Sequence, residues 1–434
     1  MKRRDFLKLL SSVGIWSAAP LPLSQALATT YSPYEGPIYF NIHVRGGLDQ
    51  SSFTDPREDP LINSWANTAD AGVAGNIRYA PLSDNQEFFE KYYQHMLVFN
   101  GVLGESNGHA TATISRWSGR LASGYPTTAE LIAAAYGQGL PLAYVSRGGY
   151  EYSAGLIPFT RVPTPTMIRE IAKPNRKNVS ANFVRQTELN VLQQYKQARL
   201  DALRSRDTNL PTFNRALNEL NIAYQGRGLL ERLADYIPST GIDTVDTKGY
   251  TTAIVQNMHL ALISAQAGLT VCANLGTDFG FDHHSDFDKL SASSLPRLTG
   301  AIDYLWEKAE ELGLADRLVV YITTDVGRTP HYNSNGGKDH LQIASGMFMK
   351  KNAPWGNRVV GASAEHHQAL AINPQTLELD ENGIILRPKH ILQAYRKLAG
   401  IDQLSFVQDF ELDAEEVDIF NPSKSTNYAV NFRS

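Results

Sequence analysis

Residues 317–324, RLVVYITT, form the most strongly apolar β-type run of the chain, and residues 269–275, LTVCANL, form a second run of this kind. Between the two runs, apolar residues recur every three or four positions, as expected for one face of a helix that ends near Gly313. These positions are Leu295, Leu298, Ile302, Leu305, Ala309 and Leu312. The order strand, helix, strand predicts a βαβ unit, and continuous apolar strands favour a mostly parallel sheet covered on both faces.

Further strands are predicted at residues 37–44, 96–99 and 142–145, and a last helix at residues 389–398. The fold class is therefore expected to be α/β, with a mainly parallel sheet flanked by helices. Residues 175–238 differ, because they are polar, helical in pattern and poor in strand signals. We interpret this stretch as a helical insertion over the sheet rather than an independent domain.

Composition excludes several classes of protein. The 434 residues carry 40 Lys and Arg against 44 Asp and Glu, a net charge of −4, so a nucleic-acid-binding surface is not expected to be the main function. Cys272 is the only cysteine, which excludes an intramolecular disulfide and a cysteine zinc site. It lies in an apolar run and is expected to be a small core residue.

The first 28 residues have the features of a twin-arginine signal peptide. KRRDFLK at residues 2–8 is followed by a moderately apolar stretch to residue 23 and by Ala26-Leu27-Ala28, a small-residue cleavage site. The alternative is an amphipathic N-terminal helix. The signal predicts export by the twin-arginine machinery of a mature domain, residues 29–434, to the periplasm or outside the cell. No cysteine stands directly after Ala28, so no lipid anchor to the membrane is expected there after cleavage.

Aspartate and histidine residues of the kind that bind divalent metal ions cluster late in the sequence. Asp282 and His284 follow the run at residues 269–275, Asp325 directly follows the run at residues 317–324, and His340 comes shortly after. Open α/β sheets place ligand sites beyond the carboxyl ends of their strands, and these side chains suit divalent cations. The alternatives are a loop whose histidines cap backbone groups, and an ion pair between Asp325 and Arg328. If Arg328 does not form this ion pair, it could hold an anionic substrate.

The N-terminal half contains two further candidates. Asp49 lies just past the first predicted strand, and SNGHATAT at residues 106–113 follows the second. Small residues, hydroxyls and His109 at a strand-to-helix turn could present a nucleophile or an anion-binding helix start. The alternative is an ordinary capped helix start. No GxSxG or GxxxxGK[ST] pattern is present, which disfavours serine hydrolases and P-loop enzymes.

In this order, five motifs resemble the domain-of-unknown-function 1501 family, bacterial exported proteins grouped with the alkaline-phosphatase-like and sulfatase-like fold. They are RGGLD at residues 45–49, GH at 108–109 with WSG at 117–119, GFDHH at 280–284, TDVGRTP at 324–330 and KDH at 338–340. The family commonly has WDTH, SEFGRT and DHG where this chain has FDHH, TDVGRT and DHL. The resemblance covers nearly the whole chain after residue 28.

The resemblance implies metal-assisted attack on a phosphate or sulfate ester. It implies Asp49, Asp282, His284, Asp325 and His340 as metal ligands, and a nucleophile at residues 106–113, for which Thr111 is the first choice. His109 and Arg328 complete the expected catalytic residues. Alkaline phosphatases have a histidine where this chain has Val326, so one ligand of a two-metal site is missing.

The predicted function is therefore hydrolysis of a small anionic phosphate or sulfate ester in the periplasm, dependent on a divalent metal, which could be zinc, manganese, magnesium or calcium. The alternative is a non-catalytic exported binding or accessory protein that keeps the fold. An oxidoreductase has little support, because the chain has no dinucleotide fingerprint and no haem motif.

Overall fold

The computed structural model describes residues 33–161, 173, 175–177, 181–206, 210–237 and 253–424. Fourteen strands are present in these residues: β1 Ile38–Arg45, β2 Gly72–Ala74, β3 Ile77–Tyr79, β4 Met96–Leu103, β5 Tyr144–Arg147, β6 Phe159–Arg161, β7 Cys272–Gly280, β8 Leu318–Thr324, β9 Gly327–Arg328, β10 His340–Leu341, β11 Ile343–Met349, β12 Arg358–Val360, β13 Ala371–Ile372 and β14 Ile384–Ile385.

The α-helices of the same residues are α1 Asn85–Tyr92, α2 His109–Ser118, α3 Thr128–Tyr136, α4 Gln186–Arg204, α5 Pro211–Tyr236, α6 Ala253–Gln266, α7 Phe287–Glu311, α8 Pro388–Leu398 and α9 Ser405–Gln408. Short 3-10 helices lie at Gln50–Ser52, Ser64–Asn67, Tyr93–His95 and Ala315–Arg317. No helix in the described ranges is long and apolar enough to cross a bilayer.

One eight-stranded sheet organises the molecule, in the order β12-β4-β11-β8-β1-β7-β5-β6. β11 runs antiparallel to both of its neighbours. The other five pairings of this sheet are parallel. The predicted mainly parallel α/β class is confirmed. The predicted βαβ unit is β7-α7-β8, whose two strands flank β1, so that α7 crosses over it.

Both faces of the sheet are buried, because alternate residues of each strand point to opposite sides. On β1, Phe40 and Ile42 belong to the core that contains residues of α1, α6 and α7. Tyr39 belongs to the opposite core, with residues of α2, α3 and α8. Helices on both faces explain why the central strands are apolar at almost every position.

The helices α4 and α5 lie in the stretch that the sequence marked as helical. Leu229 and Leu233 of α5 share a small core with Leu260 and Ile263 of α6 and Val145 of β5. The division of the chain into a signal segment, a main domain and an insertion stays a prediction, and residues 1–28 lie outside the described residues.

Candidate metal centre

The carboxyl ends of β1, β4, β7 and β8 share one edge of the sheet, and the candidate site is built there. The loop after β7 carries Asp282 and His284, and Asp325 directly follows β8. His109 is the first residue of α2, which follows β4, and His340 lies just before β11. Four separate segments of the chain thus bring these five side chains together.

Three imidazoles converge on one carboxylate oxygen. Asp282 Oδ1 lies 3.4 Å from His109 Nε2, 3.1 Å from His284 Nε2 and 3.0 Å from His340 Nε2. One ligand atom each from His109, Asp282 and His340 lies within 4.8 Å of the others. The His284 and His340 Nε2 atoms are 3.0 Å apart.

The other ring nitrogen of each histidine faces a hydrogen-bond acceptor. His109 Nδ1 lies 2.7 Å from Asp325 Oδ2, and His284 Nδ1 lies 2.9 Å from Asp339 Oδ1. His340 Nδ1 lies 2.8 Å from the carbonyl oxygen of Asn107. Because these oxygens only accept in their usual forms, we assign the hydrogen to Nδ1 and a lone pair to Nε2 in each neutral ring.

This arrangement needs positive charge at its centre. Three lone pairs and a carboxylate oxygen repel one another unless protons or a cation lie between them. Ligand atoms bonded about 2.0 Å from a tetrahedral ion are about 3.3 Å apart, close to the 3.0–3.4 Å measured around Asp282 Oδ1. The Nε2 atom of His109 is buried and makes no hydrogen bond with a described protein group. The residues therefore fit a divalent metal ion.

Arg328 fixes the position of Asp282 and does not face a substrate. Its guanidinium is fully buried and donates to the carbonyl oxygens of Gly46, Gly47 and Lys338, and to Asp282 Oδ1 at 2.6 Å. Burial alone would raise the pKa of Asp282, but the hydrogen bond from Arg328 holds it well below its ordinary value. The expected role of Arg328 in substrate binding is therefore replaced by a structural one.

Asp325 orients His109, whereas the sequence suggested direct metal ligation. Its Oδ1 accepts from the backbone N–H groups of Gly47, at 2.9 Å, and Val326, at 3.0 Å, and its Oδ2 faces His109. The hydrogen bond with Asp325 raises the pKa of His109. A carboxylate behind a histidine is the usual outer partner of a metal-binding imidazole, and it fixes the tautomer and direction of the ring.

The structure does not bring Asp49 to the cluster. Its buried carboxylate accepts from Lys338 Nζ at 2.7 Å, from Ser51 N at 2.9 Å and from Ser52 Oγ at 3.2 Å. Burial alone would raise the pKa of Asp49, but the Lys338 ammonium holds it below its ordinary value. The expected ligand role is corrected, because its oxygens are already engaged in a buried ion pair.

Thr111 also lies away from the site. In a helix of 3.6 residues per turn, it is rotated about 200° from His109, and its side chain is exposed. Thr113 is four residues from His109, on the same face of α2, and it lines the cleft beside His109, Asp282 and Asp325. Of the two threonines, Thr113 and not Thr111 therefore presents its hydroxyl to the cleft, contrary to the expectation from the sequence.

The cleft beside the cluster has a volume of about 770 Å³. Arg45, which is exposed at the end of β1, lies on its wall, and His43 lies in the same wall two residues earlier. Sequence reasoning did not single out His43, because it is one polar residue inside an apolar strand. The roles of Asp339 and of buried Arg116, whose Nε donates to the Asp325 carbonyl oxygen at 3.2 Å, were also missed.

Together, the fold and this cluster define an α/β protein with a candidate histidine–aspartate metal centre at the carboxyl edge of a mainly parallel sheet. The chain matches, over residues 91–378, the family described as protein of unknown function (DUF1501). This is more than half of its length, and the chain belongs to that family. The matched range includes His109, Asp282, His284, Asp325 and His340. No curated protein matches the chain.

Several solved structures are similar to the chain at low identity. One is a sulfatase from Pseudoalteromonas sp., with 10% identity, 90% of this chain and 73% of that chain covered, and a TM-score of 0.41. Another is a lipoteichoic acid synthase from Listeria monocytogenes, with 11% identity, 89% and 76% covered, and a TM-score of 0.37. At these low scores the similarities assign neither residue roles nor substrates to this chain.

Proposed function

We propose that the protein is a metal-dependent hydrolase of phosphate or sulfate esters that acts in the periplasm. The observation that carries the proposal is the convergence of three histidine Nε2 atoms on Asp282 Oδ1, each ring being fixed from behind by an acceptor. The centre is partly open, since the side chain of Asp282 is 49% exposed. It also adjoins a cleft of substrate size.

The ligand set narrows the choice of metal. His109, His340 and Asp282 would supply two nitrogens and one oxygen, and His284 Nε2, 3.1 Å from Asp282 Oδ1, is the candidate fourth ligand. Such a set suits zinc and other first-row transition ions. Magnesium and calcium take mainly oxygen ligands, so the set disfavours both. When bound, such an ion polarises an ester oxygen and lowers the pKa of a water molecule.

Other residues of the chain would orient the metal ligands, attract the substrate and supply the nucleophile. Asp325 holds the His109 ring in place, and Arg328 holds Asp282. Arg45 places positive charge at the cleft wall, where it would attract an anionic ester. Thr113 presents a hydroxyl on the same helix face as His109 and is the candidate nucleophile.

The nucleophile assignment has a matched control in the same helix. Thr113→Ala is expected to lower kcat at least 100-fold, and Thr111→Ala is expected to leave kcat within twofold. Equal kcat values for wild type and Thr113→Ala would show that a different group, such as water, attacks the ester.

The metal centre is tested by removing one ligand. The protein is purified without metal, titrated with zinc by calorimetry and analysed for bound metal. His340→Ala is expected to weaken zinc binding at least 100-fold, because it removes one of four ligand groups. His366→Ala is the control, since His366 is exposed and not part of the cluster. Absence of bound zinc, manganese or other divalent metal in the wild type would overturn the proposal.

Turnover is measured on aryl phosphates, aryl sulfates and their sugar esters with the zinc-loaded protein. Hydrolysis that His340→Ala abolishes and His366→Ala retains supports the enzyme. Zinc binding with no turnover across the panel supports the alternative, a non-catalytic binding protein that keeps the site.

The location is proposed from the KRRDFLK pattern of residues 2–8. Replacement of the paired arginines by lysines is expected to keep the full chain inside the cell, whereas the wild type reaches the periplasmic fraction. Equal distribution of both chains between the fractions would contradict twin-arginine export.

A further inference from the structure

The wall of the cleft contains a buried imidazole whose hydrogen-bonding groups are unused. His43, in β1, is 4% exposed, and neither of its ring nitrogens makes a hydrogen bond with a described protein group. It lines the same cleft as His109, Asp282 and Asp325. A buried polar atom without a partner costs about 1–3 kcal/mol, so a pair of them on one ring calls for an explanation.

The neighbouring strands add two more unused polar atoms. Ser146 of β5 pairs with Asn274 of β7, and both side chains are fully buried. Ser146 Oγ and Asn274 Oδ1 make no hydrogen bond with a described group. Asn274 Nδ2 donates to the carbonyl oxygens of Gly148, at 3.0 Å, and Tyr150, at 3.3 Å, and so holds the loop that follows β5.

This loop passes close to the His43 ring. Gly149 has no side chain, and a Cβ atom there would lie 3.3 Å from His43 Nδ1 and 3.5 Å from Asn274 Nδ2. Gly148, Gly149 and Tyr150 line the cleft with His43. A side chain at residue 149 would press against His43 Nδ1, so glycine keeps this part of the cleft wall free of one.

The chemistry of the ring indicates what it can bind. Burial lowers the pKa of His43 to about 4, so the imidazole is neutral at pH 7. A neutral imidazole has one donor and one acceptor nitrogen. An ester anion can only accept hydrogen bonds, whereas a hydroxyl group both donates and accepts. The ring therefore complements an alcohol better than it complements phosphate or sulfate.

We propose that His43 is a substrate-binding residue that takes a free hydroxyl of the alcohol part of the ester, so that the site prefers esters of polyhydroxylated alcohols. This rests on the proposed function, in which the metal centre and Arg45 take the anionic group. The esterified oxygen would lie towards His109 and Asp282, and the free hydroxyl towards His43.

A matched pair of ligands isolates the hydroxyl groups. Glycerol 1-phosphate and propyl phosphate have the same carbon chain and the same anion, and differ in two hydroxyls. For the wild type with zinc, glycerol 1-phosphate is expected to bind at least tenfold more tightly than propyl phosphate, by calorimetry or as KM where turnover occurs. His43→Phe is expected to reduce this preference below twofold, chiefly by weakening the binding of glycerol 1-phosphate. His43→Gln, which keeps polar atoms, is expected to restore part of it.

A purely structural role of His43 would weaken both ligands equally. Protein labelled with carbon-13 at the histidine Cε1 atoms gives a second readout in the wild type, which does not depend on any variant folding. The His43 signal, assigned by its loss in His43→Gln, is expected to shift with glycerol 1-phosphate and not with propyl phosphate. An unmoved His43 signal, or equal affinity of the wild type for the two ligands, would overturn the proposal.

The same titrations without zinc separate the two proposals. If the protein binds no metal but its His43 signal still shifts with glycerol 1-phosphate, the hydroxyl subsite stands and the proposal of a metal-dependent hydrolase is overturned. Zinc binding combined with equal affinity for the two ligands would leave the metal centre standing and overturn the hydroxyl subsite.

Discussion

The buried ion pair between Lys338 and Asp49 makes a quantitative prediction about stability. The Lys338 side chain is fully buried, that of Asp49 is 1% exposed, and Nζ lies 2.7 Å from Oδ2. Lys338→Met leaves a buried carboxylate with only hydroxyl and backbone partners. Breaking a buried pair from one side costs about 3–5 kcal/mol, so we expect the free energy of unfolding to fall by roughly that amount.

Asp49→Asn leaves the opposite charge unpaired. The Lys338 ammonium then keeps Ser51 Oγ, at 3.3 Å, and the ring of Phe287, 4.8 Å from Nζ to the centroid. We expect a smaller loss than for Lys338→Met, because these neighbours still stabilise the cation. The double variant removes both charges, so its loss is expected to be smaller than the sum of the two single losses, by about 2–3 kcal/mol.

The assay is urea unfolding followed by circular dichroism at pH 7 for all four proteins. Glu310→Gln is the control, because its partner Lys351 lies 2.7 Å away in an exposed pair, for which a loss below about 1 kcal/mol is expected. The Asp49 pKa is lower in the folded chain than its ordinary value of 3.8, so its stabilisation is present above that pH and is lost as the pH falls through the folded pKa. In Lys338→Met, burial raises the pKa of Asp49 instead, so the stability gap between wild type and this variant should narrow as the pH falls towards 3.8 and below it. A loss below 1 kcal/mol for Lys338→Met, or strict additivity, would refute the reasoning.

Three further changes have defined outcomes. Gly337→Ala is expected to abolish zinc binding measured by calorimetry, because a Cβ there would lie 1.9 Å from the carbonyl carbon of His284; retained zinc affinity would show that the loop can shift. Asp325→Asn is expected to weaken zinc binding about 10–100-fold in competition with a chelating dye, since it disturbs the orientation of His109, and unchanged affinity would contradict this role. Burial raises the pKa of Glu130 to about 7, so the unfolded chain releases this proton at lower pH than the folded chain, and stability should fall from about pH 4.5 to 7. Between pH 5 and pH 8, the free energy of unfolding of Glu130→Gln should therefore rise relative to that of wild type, by on the order of 2 kcal/mol, as measured by thermal melting. If the stabilities of the two proteins change with pH in the same way, Glu130 does not contribute this pH dependence.

The central strands could be predicted from the sequence because burial on both faces leaves a continuous apolar run. β1 and β8 are predicted to within one residue at each end. β11, IASGMFM, was missed, since Ser345 and Gly346 interrupt its apolar pattern. Its position between β4 and β8, antiparallel to both, depends on pairing across the fold, which local sequence does not specify.

The edge of the sheet at which the site lies could also be predicted, because strand ends carry ligands in this fold class. The roles of individual residues could not. A carboxylate on which several histidines converge and one that holds a single histidine from behind look the same in sequence, as Asp282 and Asp325 show. Asp49 has its partner 289 residues away in Lys338, a contact that no motif spacing indicates.

The distance along the chain between the clustered side chains has a consequence for how the proposed metal ion would be acquired. His109 and Asp325 are 216 residues apart, and His284 and His340 are 56 apart. An emerging polypeptide would offer a cation only the neighbouring Asp282 and His284, too few donors for tight capture. High affinity would arise only once the strands have assembled, so loading would be a late event, and chelators would strip the ion without preventing the chain from folding.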